Sequence, residues 1–123
     1  MEFLYNARKL EIFTIKKCIS FPKRYTFYIG QEISNLAINI YNTIRMANNI
    51  FPSNQHEVQK RKDLFVEARG MLYALVSQIE VANELFTING NAMNEWSEII
   101  NAELKLLKGV MKNDRDRYKH LKE

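Results

Sequence analysis

The stretch FPKRYTFYIGQEISNLAINIYNTIRMANN, Phe21 to Asn49, decides the fold. No proline falls between Pro22 and Pro52, and Ile29, Ile33, Leu36, Ala37, Ile40, Ile44 and Ala47 recur at steps of three and four residues. That spacing places them on one face of an amphipathic α-helix. A face of this kind has to be covered, so the flanking segments must supply the surface it packs against.

Toward the N-terminus, Glu2 to Ile19 contains neither glycine nor proline and predicts a helix over 2–19. It carries two apolar rows, Phe3-Ala7-Leu10 and Tyr5-Ile12-Ile15-Ile19, which is wider than one bundle contact requires and predicts a second contact, in a close-packed core or with another subunit. Ser20-Phe21-Pro22 ends it, because proline disfavours helical geometry in the residue before it. Toward the C-terminus, Asn48-Asn49-Ile50-Phe51-Pro52 closes the second helix, expected over 22–49, and Asn54 with Glu57 forms a capping-box pattern that opens a third over 55–86. Phe65, Ala68, Leu72, Leu75, Ile79, Ala82 and Phe86 form its stripe, and Gly70 is expected at a tight packing point. Thr87 to Asn91 is the last connection, with Gly90 expected in a left-handed conformation and Asn91 as cap. A fourth helix over 92–113 follows, striped by Met93, Trp96, Ile100, Leu104, Leu107 and Met111, and residues 114–123 read as a frayed extension. Four helices on short connections predict a single all-α domain, an antiparallel up-down-up-down four-helix bundle.

Several function classes fall away on composition. Charges interrupt every apolar run, so no membrane span is expected, and the acidic start Met1-Glu2-Phe3-Leu4 does not fit a signal peptide, which points to the cytoplasm. The lone Cys18 reads as a small buried hydrophobe. No metal spacing exists: there is one cysteine, His56 is expected in a loop and His120 in the tail, and Glu32, Glu67, Glu80 and Glu103 lack the Glu-x-x-His partner that carboxylate-bridged metal bundles use. No cofactor motif is found and no catalytic constellation is assigned. Arg115 to His120 fits the Arg-x4-6-His pattern of HEPN-type ribonucleases, but His120 stands beyond the periodicity that would position it, so an enzyme is not expected.

The net charge of +4 is concentrated at one end. From Lys105 to Glu123 there are seven bases against three acids, whereas the rest of the chain balances. Up-down-up-down topology brings that end to the pole that also holds the second connection and the start of the first helix. Lys60, Arg61, Lys62, Lys105, Lys108, Lys112, Arg115 and Arg117 are therefore the candidate contacts to phosphate or to an acidic surface.

The opening stretch also carries a resemblance. Phe21-Pro22-Lys23 through Phe27, Ile29-Gly30-Gln31 and Ile33 is similar to the segment joining the first two helices in the accessory variability determinant proteins of diversity-generating retroelements, a four-helix bundle family related to the proteins encoded in intervening sequences of 23S ribosomal RNA genes. Ala47-Asn48-Asn49, Val81-Ala82-Asn83-Glu84-Leu85 and Leu106-Leu107-Lys108-Gly109 agree in layout, whereas the double glycine and tryptophan that end the fourth helix in many relatives are replaced by Gly109-Val110-Met111. The resemblance implies a homopentameric barrel without catalytic activity, whose basic surface binds a reverse transcriptase and RNA or DNA without strong sequence specificity. Its nearest alternative is a structural protein of the intervening-sequence type.

Overall fold

The computed structural model describes residues 1–123, all-helical and without strands. Helix α1 spans Glu2–Ile19. A single turn at Lys23–Tyr25 and a π-helical turn at Thr26–Gly30 lead into α2, Gln31–Asn48. Helix α3 spans Gln55–Leu85 and α4 spans Gly90–Tyr118. Each helix packs on its two sequence neighbours and α4 returns to α1, closing a four-helix bundle. Contacts run in opposite senses along each pair: Asn6 meets Glu103 while Thr14 meets Trp96, and Gln55 meets Lys122 while Arg61 meets Asp114.

The predicted stripe fills the centre. Ile33, Ala37, Ile40, Ile44 and Ala47 of α2 are fully buried, facing Leu10 of α1, Phe65, Leu72 and Leu75 of α3, and Trp96 and Leu107 of α4. Full burial of each large apolar side chain contributes roughly 1.5–3 kcal/mol. Cys18 is buried as read, and burial pushes its thiol pKa up.

The second segment is not one uninterrupted α-helix. Pro22 is extended, at φ −54° and ψ 137°, and the π turn that follows turns Ile29 and Gly30 inward while Phe27 and Tyr28 stay 74% and 79% exposed. Gly30, which the sequence also places at a helix packing point, does face neighbours: a Cβ there would lie in ordinary contact, 3.4 Å from the Phe21 ring and 3.6 Å from the Cys18 carbonyl oxygen. Gly70, expected to be tightly packed, faces open space instead. Phe86 lies just past α3 in extended geometry, and its ring packs 4.7 Å from Phe21 and 5.1 Å from Tyr25, sealing the pole opposite the termini.

Two further expectations are corrected at α4. Its cap is Asn89, whose side chain accepts from the Asn91 and Ala92 amides, and Gly90 is the first helical residue, with no positive φ. The C-terminal part is not frayed. The helix continues to Tyr118, and the last residues turn back so that the Gln55 amide donates to the Lys122 carbonyl at 2.8 Å and Gln55 Nε2 donates to the carbonyls of Tyr118 and Leu121. Gln55 thereby ties the start of α3 to the end of α4 and the turn that follows it.

Three polar side chains are buried: Thr14, Arg61 and Glu103. Thr14 accepts the Trp96 indole N–H at 2.9 Å. Glu103 Oε1 accepts from Asn6 Nδ2 at 3.0 Å, while Oε2 has no partner. Burial pushes the Glu103 pKa up to about 7, against a smaller opposing effect of Asn6. The folded state therefore holds a proton that the unfolded chain releases above its ordinary carboxyl pKa of 4.5. Stability is predicted to fall between pH 4.5 and about 7, by on the order of 3 kcal/mol, and to level off above that range. Denaturant unfolding at pH 5 and pH 8 measures this, and Glu103→Gln should flatten the decline; an undiminished decline in that variant would contradict the assignment.

Candidate functional site

The basic end of the chain forms a groove, and its origin lies in where the apolar stripes stop. The last fully buried position of α4 is Leu107, and the first buried side chain of α3 is Arg61 rather than a hydrophobe. Beyond those points the apolar side chains, Val58, Val110 and Met111, are only partly buried. The two helices are tied there by polar contacts, Arg61 to Asp114 and Gln55 to the carbonyls of residues 118–122. Theirs is the least extensive of the four neighbour contacts in the bundle, and it leaves an open cleft of about 730 Å³.

From α3 the cleft is lined by Gln55, Val58, Gln59, Lys62, Val66 and Arg69, steps of three and four that define one helical face. From the chain's C-terminal stretch come Lys108, Met111, Asp114, Arg115, Tyr118 and Lys119. Five cations thus face one carboxylate, and that carboxylate is already engaged: Arg61 Nε donates to Asp114 Oδ2 at 2.6 Å and Arg61 Nη2 donates to Oδ1 at 3.3 Å. None of Lys62, Arg69, Lys108, Arg115 and Lys119 forms an ion pair within the chain. Exposed acids occur nearby in sequence, at Asp63, Glu67 and Asp116, but they lie outside the lining. The arrangement can neutralise several negative charges within one cleft whose lining also includes Val58, Val66 and Met111.

The eight candidate contacts separate into three groups. Lys62, Lys108 and Arg115 come together in the cleft, and Lys60, Lys105, Lys112 and Arg117 are exposed outside its lining. Arg61 is corrected outright. It is 6% exposed, its Nη1 donates to the Ala47 and Ile50 carbonyls at 3.2 and 3.1 Å, and its guanidinium lies 5.1 Å from the Phe65 ring centre. This cation is a structural clamp. Other bases at the same pole are engaged as well: Arg8 pairs with Glu11 and stacks on Tyr41, and Arg45 donates to the Tyr41 hydroxyl, which holds that phenol below its ordinary pKa.

Sequence reasoning missed Arg69 and Lys119. Lys62 and Arg69 are seven residues apart, as are Lys108 and Arg115, so each pair shares a helical face, and the register of α3 on α4 sets the two pairs against each other. Of the ribonuclease-like pair, Arg115 lines the cleft and the exposed His120 does not. No group of three or more His, Cys, Asp or Glu side chains is placed to hold a metal ion, and no helix is long and apolar enough to cross a membrane. No family profile, curated protein or solved structure matches the chain.

The separation of Arg61 from its neighbours is directly measurable. Arg61→Met is predicted to destabilise the fold by about 3 kcal/mol, because it strands the Asp114 carboxylate and the Ile50 carbonyl. Lys60→Met, one residue away and exposed, should change stability by less than about 0.5 kcal/mol. Equal effects in chemical denaturation would contradict the clamp.

Proposed function

We propose that the chain is a non-enzymatic accessory scaffold of the cytoplasm, which self-associates and uses the α3–α4 cleft to hold nucleic acid for a reverse transcriptase. The observation that carries the nucleic-acid part is the set of five cations without ion-pair partners that line one cleft, four on the facing helices α3 and α4 and Lys119 just past α4. Lysine and arginine so placed neutralise successive phosphates without reading bases, and RNA and DNA are equivalent to them. The reverse transcriptase rests on the resemblance of Phe21 to Ile33 to the retroelement accessory family, with which the four-helix architecture agrees.

Self-association is supported by α1. Its inner row, Phe3, Ala7 and Leu10, is buried in the bundle, while Tyr5, Ile12 and Ile19 stay 75%, 47% and 75% exposed. These three recur every seven residues and form an apolar line that nothing within the chain covers. A closed ring of identical subunits would cover such a line on every copy, and the family resemblance implies five.

Both halves have direct tests. Labelled RNA should bind at low salt and be released as salt rises, and no binding at low salt would contradict the nucleic-acid role. Light scattering at micromolar concentration should give the mass of five protomers, with Ile12→Glu shifting it toward the 14.6 kDa monomer. A monomeric parent protein would contradict self-association.

A further inference from the structure

Resting on the nucleic-acid role of the cleft, we infer that it takes a single strand and discriminates against a duplex. The geometry of the cations carries this. Proteins that engage duplexes enter a DNA groove about 12 Å wide with a convex element, commonly one helix bearing the bases outward. Here the arrangement is concave: Lys62 and Arg69 stand on one wall, and Lys108, Arg115 and Lys119 on the other. The walls are the adjacent helices α3 and α4 of one bundle, with Lys119 just past the end of α4. A backbone held between two walls of cations is flanked on both sides, a placement open to a free strand, whereas each backbone of a duplex is already flanked by its partner strand across the grooves.

The lining supports the same occupant. Val58, Val66 and Met111 line the cleft between the cations, and Tyr118 lies at its end. Apolar and aromatic surface suits base and sugar faces, which a duplex buries in its own stack and a single strand presents. Length agrees as well: Gln55 to Arg69 covers roughly 21 Å of helix, and Lys108 to Tyr118 roughly 15 Å. At a stacked rise of about 3.4 Å per nucleotide that accommodates about five phosphates, one for each cation. An acidic amphipathic helix is the competing occupant, but helix-in-groove recognition uses a continuous row of apolar pockets, and charged and amide side chains interrupt this lining.

Fluorescence anisotropy on the full chain tests the inference, with a labelled strand of about a dozen nucleotides and the same sequence as a blunt duplex. The strand should bind at least about tenfold tighter than the duplex at 50 mM salt, and five engaged phosphates predict roughly 100-fold weaker binding at 200 mM. Lys108→Gln/Arg115→Gln, both exposed, should reduce that salt response to about 20-fold. Lys16→Gln/Lys23→Gln removes the same charge near the opposite pole and should leave it unchanged. Duplex binding as tight as the strand's overturns the single-strand inference alone, as does displacement of the strand by poly-glutamate at equal charge concentration. Absence of binding by either nucleic acid overturns the functional proposal with it.

Discussion

One guanidinium holds the basic end of this bundle together. Arg61 of α3 bonds both carboxylate oxygens of Asp114 on α4 and donates to the carbonyls of Ala47, in the last turn of α2, and Ile50, just beyond it. Three helices meet at this side chain, at the level where the apolar stripes of α3 and α4 have run out. Burying a charge is costly, and a buried pair contributes favourably only when its geometry satisfies both partners. Here the remaining donor capacity is spent on backbone carbonyls, and Phe65 covers the guanidinium. Arg61 also fixes the register that sets Lys62 and Arg69 opposite Lys108 and Arg115, so the cleft depends on a residue that does not line it.

The architecture was legible because the apolar spacing was. Helix α1 has the bounds its sequence indicates, and Asn54 caps α3, its Oδ1 accepting the Glu57 amide at 2.9 Å, while the returning half of the box goes to Ser53, whose amide and hydroxyl donate to the Glu57 carboxylate. Less visible were polar residues at core positions. Arg61 precedes Phe65 by four residues and Ala68 by seven, and Glu103 stands three past Ile100 and four before Leu107. Both lie on the buried faces, but the surrounding charges in Lys60-Arg61-Lys62 and the neighbouring Leu104 disguise them. Helical periodicity continued through the polar residues could have found them. The π turn left no comparable trace, because Tyr25 to Gly30 has no pattern that separates it from an ordinary helical turn.

The candidate site was half legible for a related reason. Charge counting located the end of the chain that carries the excess, but it could not separate clamps from free cations. That distinction depends on partners far away in sequence: Arg61 finds Asp114, 53 residues on, and Arg8 stacks on Tyr41. The tail was misread because the bonds that order it come from Gln55, at the start of another helix. Self-association and strand binding would use different surfaces, the outer line of α1 and the α3–α4 cleft. Helix α1 packs beside α2 and α4 and contributes no residue to the cleft lining.

The central claim, that function resides in the cleft, is tested most directly by mapping amide chemical shifts while a single-stranded oligonucleotide is added. Changes are predicted at residues 55–69 and 108–119, with Arg61 and Asp114 retaining their free-state contacts. Changes confined to α1 or to the exposed Phe27 and Tyr28, with the cleft silent, would contradict it.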